Sequence, residues 1–235
     1  MTADSATRLS CVAIVPAGGS GARFGSVVPK QYSVIAGKTV LEHTLIALKK
    51  CTSIERIFVN VHHDDAHAEA VTKNHANVTL LRTAGGTRAE TVQNALKDIA
   101  KQVRRDAWVL VHDAARPCVA RVDLDRLIAL AGAHPVGGLL ASPVSDTLKR
   151  ANAECEVTET VPRDGMWRAQ TPQMFRYETL VHALSSSPDV TDEAQAIEAL
   201  GMSPLLVAGS SRNIKITLPD DAEIAAYYLS QQENA

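Results

Sequence analysis

The chain has 235 residues, 46% hydrophobic and 21% charged, enough to bury a full core and a good fit to one large α/β domain. With 24 Lys and Arg against 26 Asp and Glu, its formal net charge of -2 excludes a general nucleic-acid or membrane-surface binder built on a broad basic excess. Any affinity for anions must come from a few cations gathered in one place.

Residues 11–17 (CVAIVPA) are continuously apolar, as in a strand buried on both faces, and run into Gly18, Gly19 and Gly21. A long loop over 18–37 follows. Helical spacing predicts a helix over 39–51, then a buried strand over 56–61, a polar helix near 64–75 and a third strand over 78–82. A loop at 84–88 leads to a helix over about 89–102 and a fourth strand, 108–111. Next come a helix over 123–131 and the stretch 137–144. Strands alternating with helices predict a mainly parallel, Rossmann-like α/β sheet covered on both faces, with ligands beyond the carboxyl ends of its strands.

Residues 142–167 break this rhythm. Two polar segments rich in Thr and Val, 146–150 and 156–163, predict a protruding β-hairpin. A lone hairpin is marginal in water, so it must fold onto its own domain or grip a second subunit. Helices over 177–186 and 192–202, strands over 205–208 and 213–217, and a closing helix opened by Pro219, Asp220 and Asp221 complete the chain. One domain spanning 1–235 is expected, with no repeat or linker.

Cys11, Cys51, Cys118 and Cys155 include no C-x-x-C pair, which argues against a zinc ribbon or disulfide framework and for a reducing cytoplasm. No apolar run approaches membrane-spanning length and the first eight residues lack a signal-type core, so a soluble cytoplasmic protein is expected.

Two phosphate motifs nearly fit the glycine loop and fail. The dinucleotide fingerprint starting at Gly19 needs glycine where Phe24 stands, and Val28-Pro29 disfavours the helix that should follow. A P-loop ending at Gly37-Lys38-Thr39 would put its first glycine on Tyr32. What remains is a loop whose backbone N–H groups can surround an anion, with Arg23 and Lys30 adding charge. A glycine-rich turn with two solvated cations fits that stretch equally well.

The rest of the chain narrows the choice. The motif P-A-G-G-S-G-x-R-F-G…P-K-Q-Y resembles the nucleotidyltransferases that activate sugar or polyol phosphates. It is followed in order by V-H-D-A-A-R-P (111–117), P-V-S-D-T-L-K-R (143–150), R-x-x-x-W-x-A-Q-T-P-Q-M-F (163–175), T-D-E-A (191–194) and N-I-K-I-T (213–217). Together these resemble the 2-C-methyl-D-erythritol 4-phosphate cytidylyltransferase family, from about Val12 to the last helix.

The resemblance implies attack by a phosphate oxygen of methylerythritol phosphate on the α-phosphorus of CTP. Arg23, Lys30, Arg163 and Lys215 are then the expected catalytic residues, the first two at the phosphorus and the departing pyrophosphate, the last two aiming the acceptor. Pro16, Ala17, Gly18, Gly19, Ser20 and Gly21 are expected to wrap the triphosphate. Gly85, Gly86 and Thr91 are expected on the cytosine and ribose side, with Ala114 also at the nucleotide. Thr91 stands where serine is expected, and keeps the hydroxyl.

Asp113 reads as a magnesium ligand, as an ion-pair partner of Arg116 or, by resemblance, as an acceptor from substrate hydroxyls with Arg116 beside it. Thr147, Thr171 and Thr191 are further candidate substrate contacts, and the last two fit turn and N-cap roles as well. The expected cofactor is Mg2+ held mainly by the CTP phosphates. No protein metal site is expected, because His63 and His67 share a helical face without a clear further ligand. The resemblance also implies a homodimer in which the arm completes the neighbour's site. No nucleic-acid or membrane partner is expected. The rival readings are a ribitol-5-phosphate cytidylyltransferase and a silent nucleotide-binding regulatory domain. The 143–150 motif and the match around Arg163 disfavour the first, and retention of all four cations disfavours the second.

Overall fold

A computed structural model describes residues 9–19 and 28–233. In chain order the elements are β1 (Cys11–Pro16), a 3-10 turn (Lys30–Tyr32), β2 (Val34–Ile35), β3 (Lys38–Thr39), α1 (Val40–Lys49), β4 (Ile54–Asn60), α2 (Ala68–Thr72), β5 (Val78–Leu81) and α3 (Arg88–Ile99). They continue with β6 (Trp108–Val111), α4 (Arg121–Ala133), β7 (Gly137–Pro143), β8 (Leu148–Ala151), β9 (Val157–Val161), β10 (Trp167–Arg176), α5 (Tyr177–Ser186), α6 (Glu193–Ala199), β11 (Leu205–Ala208) and α7 (Pro219–Glu233).

Seven strands form one sheet in the order β11-β7-β10-β6-β1-β4-β5. All its pairings are parallel except those of β10, which runs antiparallel to both β6 and β7. The apolar run of β1 is explained by its central place. Ala13, Val15 and Ala17 join one core with Leu41, Leu45 and Leu127, while Val12 and Ile14 join the other with Val92, Leu96 and Ile197. A third, smaller core of Ile35, Val40, Ile216, Ala225 and Leu229 fastens α7 beside the carboxyl end of the sheet. No helix among the described residues is long and apolar enough to cross a membrane.

Four local outcomes differ from the sequence pattern. Residues 213–217 are not a strand. Their fully buried members, Asn213 and Ile216, are three apart; the Ile216 N–H donates to Ala115 O (2.9 Å), and no ladder runs alongside among the described residues. The helix near 64–75 shrinks to Ala68–Thr72, because Asp65 Oδ1 accepts from the N–H groups of His67 and Ala68 and starts it late. β10 carried no strand signal because Pro172 interrupts it; the proline falls within the register shift between Ala169 and Gln173. The loop after β1 holds an unforeseen hairpin, β2–β3, turned by Ala36 (φ 44°) and Gly37 (φ 78°). Two positive φ values suit a two-residue hairpin turn, and Ala-Gly is a weaker signal for it than Asn-Gly.

The protruding hairpin is present. Among the described residues β8 and β9 pair only with each other, and of their nine residues only Leu148 and Val161 are half-buried.

Candidate active site

Asp113 stands two residues past the end of β6 and is 6% exposed. Its Oδ1 accepts from Arg88 Nε at 2.8 Å and its Oδ2 from Lys215 Nζ at 2.9 Å, with Arg116 Nε 3.5 Å away. Burial alone would raise its pKa. Arg88, then Lys215 and Arg116, outweigh burial and hold the carboxyl well below the ordinary carboxylate range.

Arg88 opens α3 and is shared. Its Nη1 and Nη2 donate to the two oxygens of Glu193 at 2.7 and 3.0 Å. Glu193 is fully buried in the first turn of α6; burial pushes its carboxyl above the ordinary value, against the pull of Arg88. Burial likewise opposes the charge of Arg88, but Glu193 and Asp113 prevail and raise its pKa.

Behind Asp113 the polar groups form a chain. The Asp113 N–H donates to Thr171 Oγ1 (3.0 Å), which lies 3.0 Å from His112 Nδ1, while His112 Nε2 lies 3.1 Å from Arg116 O. The Arg116 carbonyl can only accept, so Nε2 carries the proton and Nδ1 accepts from the Thr171 hydroxyl. This neutral imidazole is buried completely, and burial lowers its pKa from 6.5 to about 4.

The glycine loop leaves β1 anchored by Ala17 N–H, which donates to Asn60 O at 2.8 Å. Glycine is required at 18 because a Cβ there would meet Ala84 Cβ at 2.5 Å, so the two loops touch. Fully buried Asn60 ties them further, donating through Nδ2 to Thr91 O (2.9 Å) and accepting Thr83 N–H at Oδ1 (3.0 Å). Thr91 Oγ1 donates to Thr87 O (2.8 Å) and accepts from Gly85 N–H (3.2 Å), so the hydroxyl shapes its own loop. Opposite, Lys30 Nζ donates to Ile216 O (2.8 Å), next to Lys215.

These segments enclose an open pocket of about 370 Å3 at the carboxyl end of the sheet. It brings together the sequence candidates Pro16, Ala17, Gly18, Gly19, Lys30, Gly85, Gly86, Thr91, Asp113, Ala114 and Lys215. Its charged lining among the described residues is Lys30, Arg88 and Lys215 against Asp113 alone, a balance suited to a polyanion. Arg116 and Thr171 stand behind Asp113 instead of lining the pocket. Thr147 and Arg163 are exposed at the base of the hairpin, where Arg163 Nη1 donates to Ser145 O. Thr191 is exposed and its hydroxyl donates to Gln195 Oε1 (3.0 Å). Ser20, Gly21 and Arg23 lie outside the described residues.

Sequence reasoning missed Glu193, Asn60, Gln31 and the bridging role of Arg88. Glu193 and Gln31 stood inside quoted motifs. Asn60 offered only a lone amide ending an apolar strand.

Gly18 and Gly19 share a pocket with three cations beyond the carboxyl ends of strands where an α/β sheet changes direction, an arrangement that suits a nucleotidyltransferase. The family profile described as IspD: 2-C-methyl-D-erythritol 4-phosphate cytidylyltransferase matches residues 11–231. The enzyme of that description from Dechloromonas aromatica (strain RCB) is 52% identical over 219 residues, covering 92% of this chain and 96% of its own. That from Vibrio vulnificus (strain CMCP6) is 46% identical over 231 residues, covering 96% and 97%. Among solved structures, a 4-diphosphocytidyl-2C-methyl-D-erythritol synthase superposes with a TM-score of 0.85 at 40% identity, covering 94% of this chain and 99% of that one. The Francisella tularensis 2-C-methyl-D-erythritol 4-phosphate cytidylyltransferase gives 0.80 at 34%, covering 93% and 99%. The chain belongs to the 2-C-methyl-D-erythritol 4-phosphate cytidylyltransferase family.

Proposed function

We propose that the pocket around Asp113 is where this enzyme performs the family's reaction. It transfers the cytidylyl group of CTP to 2-C-methyl-D-erythritol 4-phosphate, giving 4-diphosphocytidyl-2-C-methyl-D-erythritol and pyrophosphate in the non-mevalonate isoprenoid pathway. The observation that carries the site assignment is the convergence of Lys30, Arg88 and Lys215 on the mouth of the glycine loop.

An acceptor phosphate oxygen bonds to the α-phosphorus of CTP as the bond to the bridging oxygen of pyrophosphate breaks. Such a displacement asks the protein to position two polyanions and neutralise the charge that builds on phosphoryl oxygens. Gly18 and Gly19 offer backbone N–H groups to the triphosphate, and Lys30, with Arg23, offsets charge on the phosphorus and the leaving pyrophosphate. The loop holding Gly85, Gly86 and Thr91 borders the base and ribose. Asp113, kept ionised by its cations, accepts from substrate hydroxyls, and Lys215 beside it meets the acceptor phosphate.

The donor set fits a magnesium ion carried in by the nucleotide. Asp113 is already committed to Arg88, Lys215 and Arg116, and the described residues hold no cluster of three His, Cys, Asp or Glu side chains able to cage a cation. When bound, Mg2+ neutralises phosphate charge. The functional unit is a homodimer. The β8–β9 arm and its base leave Val157, Met166 and Trp167 exposed on their own subunit, and a two-stranded hairpin needs a surface to lie on. Seated on a second subunit, it delivers Thr147 and Arg163 to that subunit's acceptor.

Pyrophosphate release from CTP, followed with methylerythritol phosphate, ribitol 5-phosphate or no acceptor, tests the assignment. Release is expected with the first alone. Equal release with ribitol phosphate, or none with methylerythritol phosphate, overturns it.

A further inference from the structure

We propose that Gln31 is a positioning residue for the triphosphate loop, holding Gly18 in place through the carbonyls of the residues on either side of it. This deepens the reading of the pocket given above and rests on it. Gln31 sits in the 3-10 turn between Lys30 and Tyr32 and is 4% exposed. Its Nε2 donates to Ala17 O at 2.9 Å and to Gly19 O at 3.1 Å. Two carbonyls facing one group demand two donors, so the amide nitrogen must face them and the oxygen cannot. Across a planar trans peptide the N–H lies antiparallel to the carbonyl. With Ala17 O drawn towards Gln31, the Gly18 N–H therefore points away from it. Neither Gly18 nor Gly19 N–H donates to any described residue, so both remain for a ligand.

The brace also has a firm base. The Tyr32 hydroxyl donates to Asp65 Oδ2 at 2.7 Å, and Asp65 Oδ1 accepts from the backbone at the start of α2. Lys30 shares the turn and is tied through Nζ to Ile216 O. One side chain thereby sets the spacing between the phosphate cradle and a pocket cation, although the carbonyls it holds are 14 and 12 residues away in sequence. A residue that only filled buried space would affect folding without favouring one substrate over the other.

The test compares Gln31→Glu and Gln31→Met with the unmodified enzyme, measuring kcat, both KM values and the melting temperature. Glutamate keeps the shape and sets lone pairs against the two carbonyls; methionine keeps the length and removes both donors. In each, the KM for CTP is expected to rise about tenfold while that for methylerythritol phosphate stays within about twofold. A folded variant with unchanged KM for CTP, a parallel rise in both KM values, or failure of both variants to fold overturns the proposal. Absence of CTP-dependent pyrophosphate release from the unmodified enzyme would instead overturn the reading of the pocket, so the two failures are distinct.

Discussion

Arg88 and Arg150 each meet a carboxylate, in opposite surroundings. The side chains of Arg88 and Glu193 are 25% and 0% exposed, those of Arg150 and Glu159 on the arm 66% and 53%. An exposed pair contributes about 0 to 1 kcal/mol, whereas a buried one must offset a desolvation cost of several kcal/mol with good geometry. The pocket floor is thus fixed before a ligand arrives. The arm is held by its own ladder and a few surface contacts, and the proposed dimer is what gives it a surface to lie on.

Three measurements sharpen this contrast, taken in order of their expected effect on stability. Glu193→Gln removes one charge from the buried pair and should cost about 4 kcal/mol, a fall in melting temperature of roughly 8 to 16 °C. A change of under about 2 °C would mean that the floor is no better built than the arm.

The second concerns His112, whose pKa falls from 6.5 to about 4 on folding. The unfolded chain therefore binds more protons between those values, so stability should drop as pH is lowered through that window and be fully present above it. The amount is about 3 kcal/mol. Chemical denaturation at pH 7 and pH 4.5 should show a smaller drop in His112→Gln, which can still donate to Arg116 O. Identical slopes would rule out His112 as the source.

The smallest stability effect belongs to Arg163→Ala. Its side chain is exposed, so the melting temperature should stay within about 2 °C while kcat/KM for methylerythritol phosphate falls about a hundredfold or more. Normal turnover in this variant would remove the arm from the catalytic scheme.

What could be read in the sequence follows from which signals are local. The apolar run of β1, the helical spacing of α1 and the two polar, Thr- and Val-rich segments of the arm are near-neighbour patterns, and they predicted the sheet, its helical cover and the hairpin. The glycine loop, Lys30, Asp113 and Lys215 were visible as motifs, although their meeting depends on α7 and the small core around Ile216. Residues 213–217 misled because a short stretch with two isoleucines reads as a strand whether or not a ladder exists. Glu193 lay hidden because its partner, Arg88, is 105 residues away. Asn60 lay hidden because a buried amide declares itself only through its partners.

Asn60 has a practical consequence for protein engineering. Its backbone carbonyl, side-chain nitrogen and side-chain oxygen serve the start of the glycine loop, Thr91 and Thr83. The segments proposed to cradle the phosphates and to border the base are therefore one graft. Exchanging nucleotide preference between relatives means transplanting both stretches together with the residue at position 60, because either alone would arrive without its fastening.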